Sequence, residues 1–376
     1  MFRLAWRQLQ LDRLRALVTA VALGSVIAVI LVLGGFEQGQ YYQLEQIILE
    51  RHADLVATQA GVTNFIAVRS SIPQLSRAEV EAVEGIVNAH PITAVPIIYS
   101  KNNIRTPVYV LVYDTAGGPT SIIEGRQISD GREIVIDYSL AKKYNIHIGD
   151  SFNVTDFTFT VAGITQASAF MMPFAFINYD GMVDLFIESE IAPDLSTFPL
   201  LSYMLIELDP AADGTTVAQQ IEAQVPSVDV LTPAQLARND VNMAKVFFKP
   251  IIGLLVSIGY IIGMLVVALI MYSDIRGRTK SFAVLKALGF PFSKLFNATL
   301  VQSFLLLLIA APAGVLLAQL LSTVIEAMAP VYLIRVFSPG MFLHTMMACF
   351  GFAILGALIP MRTIRRTDPM LAFQGV

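Results

Sequence analysis

The sequence predicts a membrane protein with four transmembrane α-helices and one large extracytoplasmic mixed α/β domain between the first and second. Three observations predict it. Four uncharged apolar runs, each long enough to cross a bilayer, lie along the 376 residues. A polar stretch of about 200 residues, enough for an independent core, separates the first run from the second. Charge is also partitioned: 37–245 carries 11 basic and 25 acidic residues, and the rest carries 14 basic and 4 acidic ones. Membrane proteins segregate charge in this way because cytoplasmic segments retain Lys and Arg.

Composition agrees. The chain is 55% apolar and only 14% charged, which excludes a disordered chain. Cys349 is the lone cysteine and lies in an apolar run, so no disulfide within the chain is possible.

Residues 1–15 form a basic amphipathic lead, with Arg3, Arg7, Arg13 and Arg15 between Phe2, Leu4, Trp6, Leu9 and Leu11. Trp6 suits a membrane interface. Residues 16–36 are the first span. A cleaved signal peptide is the rival reading, but the run exceeds an ordinary h-region and no small-x-small site follows it. Residues 37–248 form the outside domain with its stalk. Tyr41, Leu44, Ile48 and Leu55 repeat at helical spacing and carry the first span upward as a stalk. Strand-like stretches follow at 93–99, 107–113, 133–137, 151–154, 158–163 and 204–208, with helical pieces at 76–87, 139–144 and 215–224. This interleaving predicts a mixed α/β domain.

Residues 249–272 are the second span, with Pro250 tolerated in a first helical turn. A basic loop covers 273–294. The third span, 295–325, exceeds what a crossing requires and is expected to tilt, kink near Pro312 or project. A loop at 326–340 leads to the fourth span, 341–361, and a tail at 362–376 carries Arg362, Arg365 and Arg366. The basic lead, loop and tail are expected inside the cell, and the acidic region outside.

The 273–294 loop holds the most specific pattern. Phe282, Leu285 and Leu288 recur at three-residue spacing and share a helix face, while Lys280 and Lys286 fall elsewhere. Gly289 stands where a left-handed helix end is expected, and Pro291 blocks continuation. A basic helix with an apolar stripe is a docking element; the plainer alternative is a surface loop anchored by charge.

Enzymatic signatures are missing from the sequence. It has no phosphate-loop motif, His-Glu-x-x-His or Gly-x-Ser-x-Gly, and its four histidines (His52, His90, His147, His344) are scattered. The spans contain almost no ionisable residue, His344 excepted, which argues against an ion-driven transporter.

Three stretches carry a family resemblance. Residues Arg278 to Gly289 resemble the cytoplasmic loop of MacB-type, FtsX-like ABC transporter permeases. Glu133-Ile134-Val135-Ile136-Asp137, Ile148-Gly149-Asp150 and Phe159 to Ile164 are similar to the family's outside domain. The tail from Pro360 through Asp368-Pro369 to Phe373 is similar to its closing motif. Leu4-Ala5-Trp6 and Leu285 to Phe290 look closest to the DevC-like and HrtB-like heme-exporter branches. One departure is Ser281, where the family usually has an acidic residue.

The resemblance implies a type VII ABC permease in the bacterial inner membrane, multi-pass, with both termini cytoplasmic. It implies a homodimer bound to two copies of an ABC ATPase subunit. That partner binds ATP and Mg; this chain binds no cofactor and no nucleic acid. A membrane-fusion protein is a further partner that the resemblance allows, and the bilayer is the medium. The ATPase-coupling helix would comprise Arg278, Lys280, Phe282, Leu285, Lys286, Leu288 and Gly289. Mechanotransmission on a lipid, lipoprotein, heme, peptide or drug is the implied action. The alternative is a non-transporting transmitter that controls an extracytoplasmic protein such as a cell-wall hydrolase.

Candidate substrate contacts are Phe36, Tyr41 and Tyr42 above the first span, with an interfacial aromatic belt as the plainer role. Phe170, Met171, Met172 and Phe174 lie in a stretch unusually apolar for an outside domain. In a heme exporter Met171 or Met172 could ligate iron; otherwise this is a buried strand with Met as filler.

Overall fold

The computed structural model describes residues 13–66, 68–101, 103–154, 156–166, 172–188, 200–277 and 279–366. The amphipathic lead up to Asp12, Phe170, Met171, Arg278 and the tail after Arg366 lie outside these residues. The chain divides into two compact units, one of residues 1–38, 250–325 and 334–376, the other of residues 39–249 and 326–333.

The first unit is helical. Among the described residues, four helices are long and apolar enough to cross a membrane: α1 (Arg13–Leu49), α6 (Pro233–Gly277), α8 (Phe292–Met328) and α9 (Pro339–Arg366). All four extend beyond the apolar runs at both ends, and polar residues such as those at 37–49 and 362–366 continue the backbone hydrogen bonds past the hydrocarbon limits. Pro250 and Pro312 lie inside α6 and α8. Leu23, Ile27 and Leu31 of α1 are buried with Val267 and Met271 of α6, Leu306 and Ala310 of α8, and Cys349 and Ala353 of α9. Close approach depends on small residues, as membrane helix packing requires. A Cβ on Gly314 would lie 2.9 Å from the Gly24 carbonyl oxygen, and one on Gly356 2.4 Å from Ala268 Cα.

The second unit is built on a ten-stranded sheet. Its strands are β1 (Leu55–Gln59), β3 (Ile86–Lys101), β4 (Ile104–Tyr113), β5 (Ile122–Gly125), β6 (Glu133–Asp137), β7 (Ser151–Val154), β8 (Phe157–Thr165), β9 (Phe174–Asn178), β11 (Tyr203–Leu208) and β12 (Val228–Leu231). Their order is β12-β1-β11-β3-β4-β9-β6-β8-β5, with β7 paired to β8. Pairing is antiparallel except for β4 with β9 and β6 with β8. A small separate pair joins β2 (Ile72–Pro73) and β10 (Leu200–Leu201).

Side-chain alternation divides the core between the two faces of the sheet. Val108, Val110, Ile134, Ile136 and Ala175 face one way, with α3 (Tyr138–Tyr144) and α4 (Tyr179–Glu188). Ala57, Met204 and Ile206 pack with α2 (Leu75–Glu81) and α5 (Gly214–Gln224). The opposite face, Val56, Leu111, Val135, Phe176, Tyr203 and Leu205, receives Leu44, Ile47 and Ile48 of α1 and Leu236, Ala237 and Val241 of α6. The terminal part of α1 and the first turns of α6 therefore end on one face of one sheet.

Several expectations are corrected here. Leu55 does not continue the stalk: the helix stops at Leu49, His52 takes φ +53°, and Leu55 opens β1. The helix expected at 76–87 ends at Glu81, since Gly85 takes φ +92° and Ile86 begins β3. The strand expected at 93–99 runs from Ile86 to Lys101, sustained by pairing with β4. Strands β1, β2, β5, β10 and β12 and helix α4 have no counterpart among the expectations, whereas β9 is the buried strand offered as the plainer alternative for the stretch around Phe174.

Candidate functional site

The basic loop contains one short helix, α7 (Thr279–Ala287). Its end is closed as the Gly-Phe-Pro run requires. Gly289 takes φ +86°, its N–H donates to the Lys286 carbonyl at 3.0 Å, and the Phe290 N–H donates to the Leu285 carbonyl at 3.1 Å. This doubly bonded helix end satisfies carbonyls that would otherwise lack donors.

The expected apolar stripe is divided between two environments. Phe282 is buried within the chain itself, packed with Ile275, Leu295, Ala357 and Met361, and Leu285 is half-buried against the same cluster. Phe282 is thus no free docking residue: its ring holds the helix to the ends of α6, α8 and α9. Leu288 is 70% exposed, and Val284 and Phe290 are also exposed. Ser281, Val284, Ala287 and Leu288 are exposed on one helix face at three- and four-residue spacing. Lys286 is half-buried and Gly289 exposed, while nothing is described of the Lys280 side chain.

In the outside domain, buried polar groups tie the end of α1 to the loop after β4 and the start of α6 to the loop after β1. Arg51, just past α1, is 6% exposed. Its Nε donates to the Ile47 carbonyl at 2.9 Å, and its Nη1 donates to the carbonyls of Gly117 at 2.9 Å and Gly118 at 2.7 Å. The guanidinium stands 5.1 Å from the centre of the Phe176 ring. Burial lowers its pKa to about 10, with Glu50 opposing the shift, so it remains a cation at neutral pH.

Asp240 near the start of α6 is 2% exposed and accepts from the N–H groups of Phe65 at 2.9 Å and Ile66 at 3.2 Å. Burial pushes its pKa up to about 6 against those two hydrogen bonds. The raised pKa makes the native state bind a proton more tightly than the unfolded chain. The resulting stabilisation is full below the ordinary carboxyl value of 3.8 and is lost as pH rises through about 6. Stability of the full chain in detergent is therefore expected to rise between pH 7.5 and pH 5 by about 1–2 kcal/mol from this group. Asp240→Asn should flatten that window, and an unchanged slope would remove the assignment.

The candidate substrate contacts separate in the same way. Phe36 is half-buried against the span core. Tyr41 is half-buried against the domain core, with Lys245 Nζ 5.3 Å from its ring centre, and Tyr42 is exposed. Met172 is half-buried. Phe174 is a correction: it is 3% exposed in β9, packed in the core, and offers no surface to a substrate. Among the described residues, no group of three His, Cys, Asp or Glu side chains could hold a metal ion.

Four apolar spans, a large α/β domain inserted after the first, and a capped helix after the second define a multi-span membrane protein with one inserted domain. The MacB-like periplasmic core domain family matches residues 14–224, and the FtsX-like permease C-terminal family matches residues 253–369. An uncharacterized ABC transporter permease of Mycobacterium tuberculosis is 23% identical over 375 residues, covering 99% of both chains. Another, from Mycobacterium bovis, is 23% identical over 376 residues with the same coverage. The periplasmic region of MacB from Actinobacillus actinomycetemcomitans aligns with 50% of this chain and 92% of its own, at TM-score 0.36 and 9% identity. The extracellular domain of the noncanonic ABC-type transporter YknZ from Gram-positive bacteria aligns with 48% of this chain and 100% of its own, at TM-score 0.35 and 10% identity. The chain belongs to the MacB/FtsX-like family of ABC transporter permeases. Membership implies a separate ABC ATPase as partner.

Proposed function

We propose that this permease is the membrane subunit of an ATP-driven exporter acting by mechanotransmission on a hydrophobic or amphiphilic substrate at the outer membrane face. The observation that carries the reading is where α1 and α6 end. Both finish on the same face of the outside sheet, so movement of either helix acts directly on that domain. The free face of α7 is the element on which the ATPase acts. The working unit is a homodimer with two ATPase copies in the bacterial cytoplasmic membrane, both termini inside. The exposed row of Ile251, Leu254, Leu255, Ile258, Ile262 and Leu265 on α6 leaves apolar surface for the second copy or lipid. Basic cytoplasmic segments support the orientation.

The test is ATP hydrolysis by the complex reconstituted in lipid, screened against heme, lipids, lipopeptides and amphiphilic drugs. Stimulation by one of these classes supports export. Hydrolysis indifferent to every small molecule but responsive to an extracytoplasmic protein replaces export with signal transmission.

A further inference from the structure

Between α3 and the loop that follows α8 lies a groove of about 600 Å³. This is within the range of about 300–1,000 Å³ usual for small-ligand sites. One wall is Pro107, Leu140 and Pro173, and the other runs from Ala327 to Tyr332. Lys142 and Lys143 stand over it, and no carboxylate lines it. We propose that this groove binds an anionic lipid of the outer leaflet, its headgroup on the two lysines and an acyl chain on the apolar walls. The inference deepens the exporter reading and rests on it for the lipid's role as cargo.

Three observations carry it. The first is charge. Residues 37–245 have a large acidic excess, yet their only adjacent pair of cations is at this groove. Among the described residues neither lysine makes an ion pair. Lys143 Nζ donates to Thr106 Oγ1 at 2.8 Å, and Lys142 Nζ lies 5.8 Å from the Tyr138 ring centre. Their place in the last turn of α3 faces them to its carbonyl end, and Asn145, left-handed at φ +49°, stops the helix directly after Tyr144.

The second is an orphaned hydroxyl. Ser139, 5% exposed in the groove wall, has its Oγ buried with no hydrogen-bond partner among the described residues. Its backbone N–H is already taken by Asp137 Oδ1 at 2.7 Å. Buried hydroxyls are ordinarily satisfied, and a headgroup oxygen is the partner the fold leaves out.

The third is position. Met328 is the last residue of span helix α8 and is 82% exposed, with Val331 and Tyr332 a few residues on. The apolar wall therefore begins within three residues of the end of the apolar run 295–325, and a lipid is the anion that has use for it, whereas a soluble anion has none for apolar walls. Each lysine near a headgroup is worth about fivefold in binding.

The experiment uses the full chain in phosphatidylcholine nanodiscs doped with phosphatidylglycerol carrying a photoreactive acyl chain. Labelled peptides are mapped by mass spectrometry. Labelling is expected on residues 327–332, falling about tenfold or more in Lys142→Gln/Lys143→Gln. A matched phosphatidylcholine probe should label weakly and equally in both. Both lysines are exposed, so the variant keeps its fold. Equal labelling of wild type and variant by the anionic probe, or labelling confined to the spans, overturns the proposal. The hydrolysis screen reads something separate. Charge-dependent labelling without stimulated hydrolysis keeps the groove and removes the exporter; stimulated hydrolysis without labelling removes the groove alone.

Discussion

Leu288→Asp is expected to abolish capture of the partner ATPase and the hydrolysis that depends on it, with the spans still folded. Leu288 is 70% exposed, so an aspartate there costs the isolated chain little. In the complex the carboxylate would be desolvated where an apolar anchor is required. Loss of a buried interface anchor costs about 2–4 kcal/mol, or roughly 30- to 1,000-fold in affinity. Val284→Asp, one turn back on the same face, should act in the same direction. Phe282→Asp is the contrasting variant. Its ring is buried with Ile275, Leu295, Ala357 and Met361, so it should lower yield and melting temperature before any partner is added. Leu285→Asp mixes the two effects, because Leu285 is half-buried in the same cluster. Co-purification and size-exclusion of each variant check the set. An intact complex with normal coupled turnover in Leu288→Asp would place the ATPase contact elsewhere.

Much of the fold was legible because the bilayer imposes a strong, one-dimensional signal. Uncharged runs and segregated Lys and Arg identify the four spans without any knowledge of packing. Strands with one polar face, such as Ser151–Val154, and the Asp137-capped helix after Glu133–Asp137 could be read locally. Strand β9 could be read only as one of two alternatives. Phe174 to Ile177 are buried on both faces of a central strand, and a short continuous apolar stretch reads equally well as a membrane-seeking loop. Leu55 was misread because its distance from Ile48 fits a helix, while the break at His52 left no signal of Gly or Pro. The coupling element shows the same limit. Periodicity finds an apolar face on α7, but it cannot say that Phe282 is consumed by the chain's own helices while Leu288 is left outside. Pairing Lys142 and Lys143 with Met328 and Tyr332 depends entirely on tertiary structure.

Arg51→Met should loosen the junction between α1 and the sheet more than any other single change in the domain. Three carbonyls, those of Ile47, Gly117 and Gly118, lose their donor at once. Each unsatisfied buried acceptor costs about 1–3 kcal/mol, and the contact with Phe176 adds to the loss. Against this, methionine removes a buried cation, whose desolvation is the cause of its lowered pKa. The net expectation is a loss of about 2–4 kcal/mol, or roughly 6–12 °C in melting temperature for a domain of this size. Arg51→Lys should fall between, since one ammonium cannot reach carbonyls spread over a planar fork. Hydrogen exchange localises the effect, with amides after Gly117 and at the end of α1 expected to lose protection first. In the reconstituted complex, Arg51→Met below its melting point should keep ATP hydrolysis and lose its response to substrate. The ATPase still turns over, but the helix no longer carries its movement into the sheet. A variant with unchanged melting and full substrate response would show that Arg51 is not the joint.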